Sequence, residues 1–331
     1  MSRQIEDELK LFTQHMKSLR NIMDIEESCD YAYTLVPKKK PVSTKAPKRL
    51  ALTVSGIVHG NETVGIAAIN EFLHLLLNET IDCRIPLGIF LGNIPAAKAN
   101  QRYLERDLNR SFDRQGKTAE ERRAKDLSSI LADTIWYLDI HQTNRPAEEP
   151  FFIFPYAKDS FFFAQNLSAH TAIVTHIGSN FSNDGLCTDE FVNRKAGIGL
   201  TLECGKAGFD PLQIGFALKT IMHSVRFVQS MLEAHRPPHP IPAHEKRKIF
   251  VVRDTISCPQ TGPVKLAENL SNLQPIKKGD YLATVNGTKI VSTRDGRIVF
   301  PNYAAETREP GKRPAELMRI IEPILPADLP K

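Results

Sequence analysis

Hydrophobic and polar positions fall into two regimes along the 331-residue chain. Over most of its length, short apolar runs alternate with longer stretches of helical spacing. "LALTVSGI" (50–57), "PLGIFLGN" (86–93), "IWYLDIH" (135–141) and "GIGLTLECG" (197–205) read as buried strands. Between them, "ETVGIAAINEFLHLLLN" (62–78), "TAEERRAKDLSSILADT" (118–134), "FFFAQNLSAHT" (161–171) and "PLQIGFALKTIMHSVRFVQSMLEAH" (211–235) read as helices. Such alternation predicts an α/β fold, a parallel or mixed sheet flanked by helices on both faces.

The two ends of the chain differ. Residues 4–24 predict an amphipathic helix, and the Pro- and Lys-rich segment 37–48 a loop. After residue 235, "RPPHPIPAHEKRK" (236–248) cannot continue a helix and marks a boundary. "IFVVRDTI", "DYLATV", "TKIVST" and "GRIVFP" then follow as short β-type runs separated by "KKGD", "NG" and "DG" turn signals, and "PAELMRII" (314–321) reads as a helix. The expected organisation is an N-terminal extension (1–48), a catalytic domain (49–235), a linker (236–248) and a small C-terminal β-rich domain (249–331).

Composition narrows the class. Hydrophobic content of 41% and charged content of 24% suit a globular protein, and no apolar run reaches the ~18 residues of a membrane helix. The N-terminal pattern lacks a secretory apolar core, and five scattered cysteines without CxxC spacing fit free thiols, so a cytoplasmic protein is expected. The net charge of +5 gathers in "KKK", "PKR" and the C-terminal end without interleaved aromatics, which reads as a solvated linker rather than a nucleic-acid patch. Neither nucleic acid nor membrane is an expected partner; a homo-oligomer is left open.

Polar residues cluster where predicted strands end: His59 and Glu62, then "ANQRYLERDLNR" (99–110), "DIH" (139–141) and Glu203. Open α/β sheets bind ligands along that edge. Catalytic zinc takes three ligands from His, Asp and Glu and keeps a position for water, and His59, Glu62 and His141 supply such a set. Singly, each has a plainer reading, a core histidine or a helix N-terminal acid; as a trio on adjoining strand ends they point to metal. Asp139, two residues before His141, is either an outer partner of that histidine or a strand-end cap. Arg102, Arg106 and Arg110 stand at helical spacing with Glu105 and Asp107, which a salt-bridged helix would also explain. Glu203 on an apolar strand must be paired, metal-linked or functional. Cys204 beside it alternates to the opposite face and reads as core. GxSxG, HExxH and P-loop motifs are absent, which removes those hydrolase and nucleotide readings.

"HGNE", "GNIPAAKANQRYLERDLNRSF", "DIHQT" and "LTLECGKA" resemble the successive motifs of the succinylglutamate desuccinylase and aspartoacylase family, a branch of the zinc carboxypeptidase (M14-like) superfamily. The likeness spans residues 50 to about 215 in order, and more loosely "GRIVFPN". It implies one Zn²⁺ per chain on His59, Glu62 and His141, and Glu203 as general base and acid. It further implies that Arg102 faces the developing oxyanion while Asn109 and Arg110 grip a substrate carboxylate. The family's further arginine, ten residues before the catalytic glutamate, is Asn193 here, with Arg194 one place later as the candidate substitute. A tyrosine that follows "VF.N" by four in aspartoacylases is Glu306 here, with Tyr303 directly after Asn302, which counts against N-acetylaspartate.

The expected function is therefore a zinc amidohydrolase that cleaves a small N-acyl amino acid to a carboxylate and a free amino acid. A metallocarboxypeptidase acting on short peptides is the first alternative; a non-catalytic zinc-containing binding protein is the second.

Overall fold

The computed structural model describes residues 2–39, 41–42, 50–178, 181–182, 184–238, 248–308 and 313–330. Helix α1 (Ser2–Leu19) buries Ile5, Leu9, Phe12, Met16 and Leu19, a stripe at spacings of three and four, in the main core, where it packs on helix α2 (Val64–Leu77). Burying one such side chain is worth about 1.5 to 3 kcal/mol. A hairpin follows where a helix end and a loop are expected: β1 (Met23–Cys29) pairs with β2 (Ala32–Pro37). Of the Lys-rich segment, residues 40 and 43–49 lie outside the described residues.

The predicted strands and helices form in order: β3 (Leu50–Gly56), α2, β4 (Leu87–Leu91), a short α3 (Ile94–Lys98), α4 (Ala119–Ala132) and β5 (Thr134–Thr143). Next come β6 (Phe151–Pro155), α5 (Lys158–Leu167), β7 (Ala172–His176), α6 (Thr188–Arg194), β8 (Ile198–Lys206) and α7 (Pro211–Ala234). Strands β6 and β7 and helices α3 and α6 are unforeseen. The arginines at helical spacing do not form the alternative helix: Leu108–Arg110 is a single 3-10 turn within a loop.

β9 (Ile249–Ser257), β10 (Val264–Leu266), β11 (Pro275–Ile276), β12 (Tyr281–Val285), β13 (Thr288–Val291), β14 (Gly296–Val299), α8 (Ala304–Thr307) and β15 (Glu316–Pro323) complete the chain. The expected helix over 314–321 is strand β15. It lies between β9 and β14, and Leu317, Met318, Ile320 and Ile321 are buried, so pairing on both edges and burial of both faces override the segment's helix propensity.

Among the described residues the main sheet has twelve strands in the order β1-β2-β4-β3-β5-β8-β6-β7-β9-β15-β14-β11, and β10-β12-β13 form a second sheet. β4, β3, β5 and β8 run parallel; β6 is antiparallel to β8, and β9 pairs with β7, joining the C-terminal strands to the same sheet. The mixed sheet and helical layers accord with the expected fold class. Among the described residues no helix is long and apolar enough to cross a membrane.

Candidate active site

The turn after β3 carries His59 and Glu62, and the end of β5 carries His141. A Cβ on Gly60 would stand 2.3 Å from the backbone of Ala96 and Ala97, so glycine lets this turn close against α3. The His59 ring Nδ1 lies 2.9 Å from Glu62 Oε1 and 3.0 Å from His141 Nδ1, and His141 Nδ1 lies 2.9 Å from Glu62 Oε2. All three side chains are buried.

The far nitrogens are held by carboxylates. His59 Nε2 is 3.0 Å from Asp107 Oδ1, and His141 Nε2 is 2.8 Å from Asp139 Oδ2. An Nε2–H donated outward leaves each Nδ1 lone pair facing the centre, as in metal sites where a carboxylate sets the tautomer of a ligating histidine. Two inward lone pairs beside a carboxylate repel one another unless a proton or a metal ion sits among them. This donor set therefore fits a metal ion, and it is the group that could hold one among the described residues.

Asp139 and His141 are two apart on β5, so alternation puts them on the same face, and the bond between them is direct. Asp139 also accepts hydrogen bonds from Ser55 Oγ at 2.6 Å and Thr188 Oγ1 at 2.5 Å, which satisfies a fully buried carboxylate. Burial alone would raise Glu62, but His59 and His141 hold its carboxyl well below the usual range. Asp107 is likewise held down by His59 and Arg102 against its burial.

Glu203 is the neighbour of His141 across the β5–β8 pairing. Its Oε2 is buried with no hydrogen-bond partner. Burial pushes this carboxyl up to about 8, with His141 pulling it down and Glu62 pushing it further up. Cys204 faces the opposite side, buried in the core.

The "QRYLERDLNR" loop supplies the next groups. Arg102 Nη1 donates to Glu62 Oε1 at 3.1 Å, and its Nε and Nη2 donate to Asp107 Oδ2 at 3.3 Å. Asn109 Oδ1 accepts from the Thr188 N–H at 2.9 Å, which leaves its amide nitrogen for a ligand. Arg110 Nη1 donates to the Asn109 carbonyl at 2.6 Å and approaches Cys187 Sγ at 3.1 Å, and its guanidinium lies 5.3 Å from the Phe181 ring.

His59, Glu62, Arg102, Asp107, Asn109, Arg110, His141 and Glu203 line one cavity of about 310 Å³. The C-terminal strands close one side of it. Arg319 of β15 stacks 3.9 Å over Phe181 and pairs with both oxygens of Glu316 at 2.7 Å, and Arg308 Nη1 donates to Tyr103 Oη at 3.0 Å.

The structure thus brings together His59, Glu62, Arg102, Asn109, Arg110, His141 and Glu203, and leaves Arg194 apart. Arg194 is exposed at the end of α6 and does not line the cavity. Asn193 Oδ1 accepts from the Gly199 N–H at 2.7 Å and is structural. Glu306 Oε1 accepts from the Leu266 N–H, and Tyr303 Oη is bonded to Leu270 N and the Ala267 carbonyl, so neither replaces the aspartoacylase tyrosine in the cavity. Sequence reasoning missed Asp107, whose signal is its place in "DLNR", and Thr188, Asp189, Phe181 and Arg319, for which no motif stood out.

Residues 48–234 match the succinylglutamate desuccinylase/aspartoacylase catalytic domain, more than half of the chain. The chain belongs to this family. A succinylglutamate desuccinylase of Serratia proteamaculans is 28% identical over 282 residues, covering 79% of this chain and 83% of its own length. Among solved structures, a succinylglutamate desuccinylase of Vibrio parahaemolyticus superposes with a TM-score of 0.70 at 15% identity, covering 95% of each chain. That of Chromobacterium violaceum gives 0.66 at 20% identity, covering 97% of this chain and 98% of its own. The family's fold therefore extends past the matched catalytic region into the C-terminal strands.

Proposed function

We propose that the protein is a zinc-dependent deacylase that hydrolyses an N-acyl amino acid to a carboxylate and a free amino acid, with one zinc per chain on His59, Glu62 and His141. The observation that carries this reading is a buried, unpartnered Glu203 carboxylate beside an inward-facing His₂Glu donor set, in one cavity with Arg110. Membership of the family supports it.

Zinc bound there supplies Lewis acidity, polarising a carbonyl and bringing the pKa of water near 7. Glu203 accepts a proton from the attacking water and returns it to the departing amine, the work for which a carboxyl near neutral pKa is suited. Arg102, beside Glu62, meets the negative charge gathering on the carbonyl oxygen. The Arg110 guanidinium and the Asn109 amide hold the substrate carboxylate and so fix the scissile bond. Asp107 and Asp139 orient the two imidazoles.

What supports this reading over a carboxypeptidase is that Arg308 and Arg319 from the C-terminal region line the same cavity as the catalytic groups, which narrows it in favour of a small substrate. Amine release from N-acyl amino acids and from dipeptides by the zinc-loaded protein tests it. Faster turnover of dipeptides with free N-termini would favour the carboxypeptidase, and no turnover of either class would favour a binding protein.

A further inference from the structure

We propose that Asp189 selects N-acyl amino acids whose side chain carries an ammonium group and turns away those that carry a second carboxylate. This rests on the deacylase reading above and names its substrate class.

Gly199, Thr201 and Glu203 share one face of β8, because alternate residues of a strand point the same way. A Cβ on Gly199 would meet Asp189 O at 2.8 Å and Asp189 Cα at 2.9 Å, so the first turn of α6 lies directly on the strand there. That contact brings Asp189 alongside Thr201, and both line the cavity. Across the sheet Thr201 pairs with Ile153 of β6, which also lines it. Thr201 and Ile153 thus floor the cavity about 7 Å along the strand from Glu203, the reach of a short side chain. With the substrate carboxylate on Arg110 and the scissile nitrogen beside Glu203, the side chain of the leaving amino acid runs onto that floor, beside Asp189.

Most of the charges acting at that end are negative, with His141 acting the other way. Asp189 is 5% exposed, and its Oδ1 accepts a hydrogen bond from the Glu190 N–H at 2.9 Å. Among the described residues no arginine or lysine forms an ion pair with it. Burial pushes its carboxyl up to about 7, and Glu190 and Asp139 add to the effect. A first helical turn favours an acid, but that does not explain one buried against a cavity. The buried Arg319, which could otherwise serve a second substrate carboxylate, is already held by Glu316 and the Phe181 carbonyl. A buried carboxylate without a counter-charge is costly. A substrate ammonium supplies the missing charge, whereas a substrate carboxylate brings two like charges together.

The test uses the full-length, zinc-loaded protein with Nα-acetylornithine, N-acetylglutamine and N-acetylglutamate. The wild type is expected to favour the ornithine derivative over the glutamate derivative by at least about tenfold in kcat/KM, and Asp189→Asn to collapse that ratio. A preference for the glutamate derivative, or a ratio unchanged in Asp189→Asn, overturns the proposal. Calorimetric binding of free ornithine and free glutamate to the wild type decides the matter independently of turnover and of whether the variant folds. Tighter ornithine supports the assignment, and equal or tighter glutamate sinks it. Failure to hydrolyse any of the three derivatives counts against the deacylase reading alone, and the calorimetric order still tests Asp189.

Discussion

Glu203→Gln separates chemistry from architecture. In the folded protein Glu203 Oε2 makes no hydrogen bond, so an isosteric amide removes no partner. The site is 8% exposed and pushes the carboxyl up to about 8, chiefly by burial, so the protein does little to stabilise the charge that the substitution deletes. The variant is therefore expected to keep its fold and its metal, with a melting temperature no lower than wild type. Turnover should fall by roughly 10² to 10⁴, or about 3 to 5.5 kcal/mol of barrier, because among the described residues Glu203 Oε2 is the buried carboxylate oxygen left without a hydrogen-bond partner to move the proton. KM should change little, since Arg110 and Asn109 are untouched. Initial rates of amine release, zinc content and thermal melts on the same preparations provide the three readings. Turnover within about tenfold of wild type with zinc intact would refute the role, and loss of zinc would mean that Glu203 holds the metal centre rather than the proton.

The two arginines should differ in kind. Arg102→Ala removes charge stabilisation of the transition state and is expected to lower kcat by roughly 10² or more, whereas Arg110→Ala should act mainly on KM and reduce the discrimination between an N-acyl amino acid and its α-amide. If Arg110→Ala rejects the amide as strongly as wild type, the carboxylate clamp lies elsewhere. Asp189 should mark the stability curve: its folded carboxyl titrates at about 7 against an ordinary 3.8, so the folded state keeps a proton that the unfolded chain gives up in that window, and stability is lost as pH rises through it. At ~1.4 kcal/mol per pH unit, Asp189→Asn should gain up to about 4 kcal/mol over wild type near pH 8 and almost nothing near pH 4; urea titrations giving a pH-independent difference would contradict this.

The His59, Glu62 and His141 trio and Glu203 were legible because each sits where an apolar run stops, and a sheet brings such ends to one edge. Strand alternation puts Asp139 and His141 on one face, but whether Asp139 holds that histidine or caps the strand end was left open until the structure showed the bond. Asp107 was less visible, since a carboxylate between arginines reads equally well as a surface ion pair until the loop is seen to fold under His59. The far wall of the cavity was not legible. α6 has seven residues and no apolar period, and β6 and β7 have five each, too short for a pattern to separate from loop. Those elements carry or seat Asp189, Thr188 and Phe181, so that wall of the cavity emerged only with the fold. β1 was hidden by its acidic sequence, which an edge strand tolerates because one side meets water. β15 went the other way, helical by local propensity and strand by its neighbours.

Zinc content measured together with turnover, in wild type and in His141→Ala, bears most directly on whether the His59, Glu62 and His141 cluster is the catalytic metal centre. About one zinc per wild-type chain is expected, with amine release lost on chelation and restored by zinc, and His141→Ala should lack both metal and activity while still folding. Equal zinc in the two proteins, or wild-type amine release that survives complete removal of the metal, would contradict it.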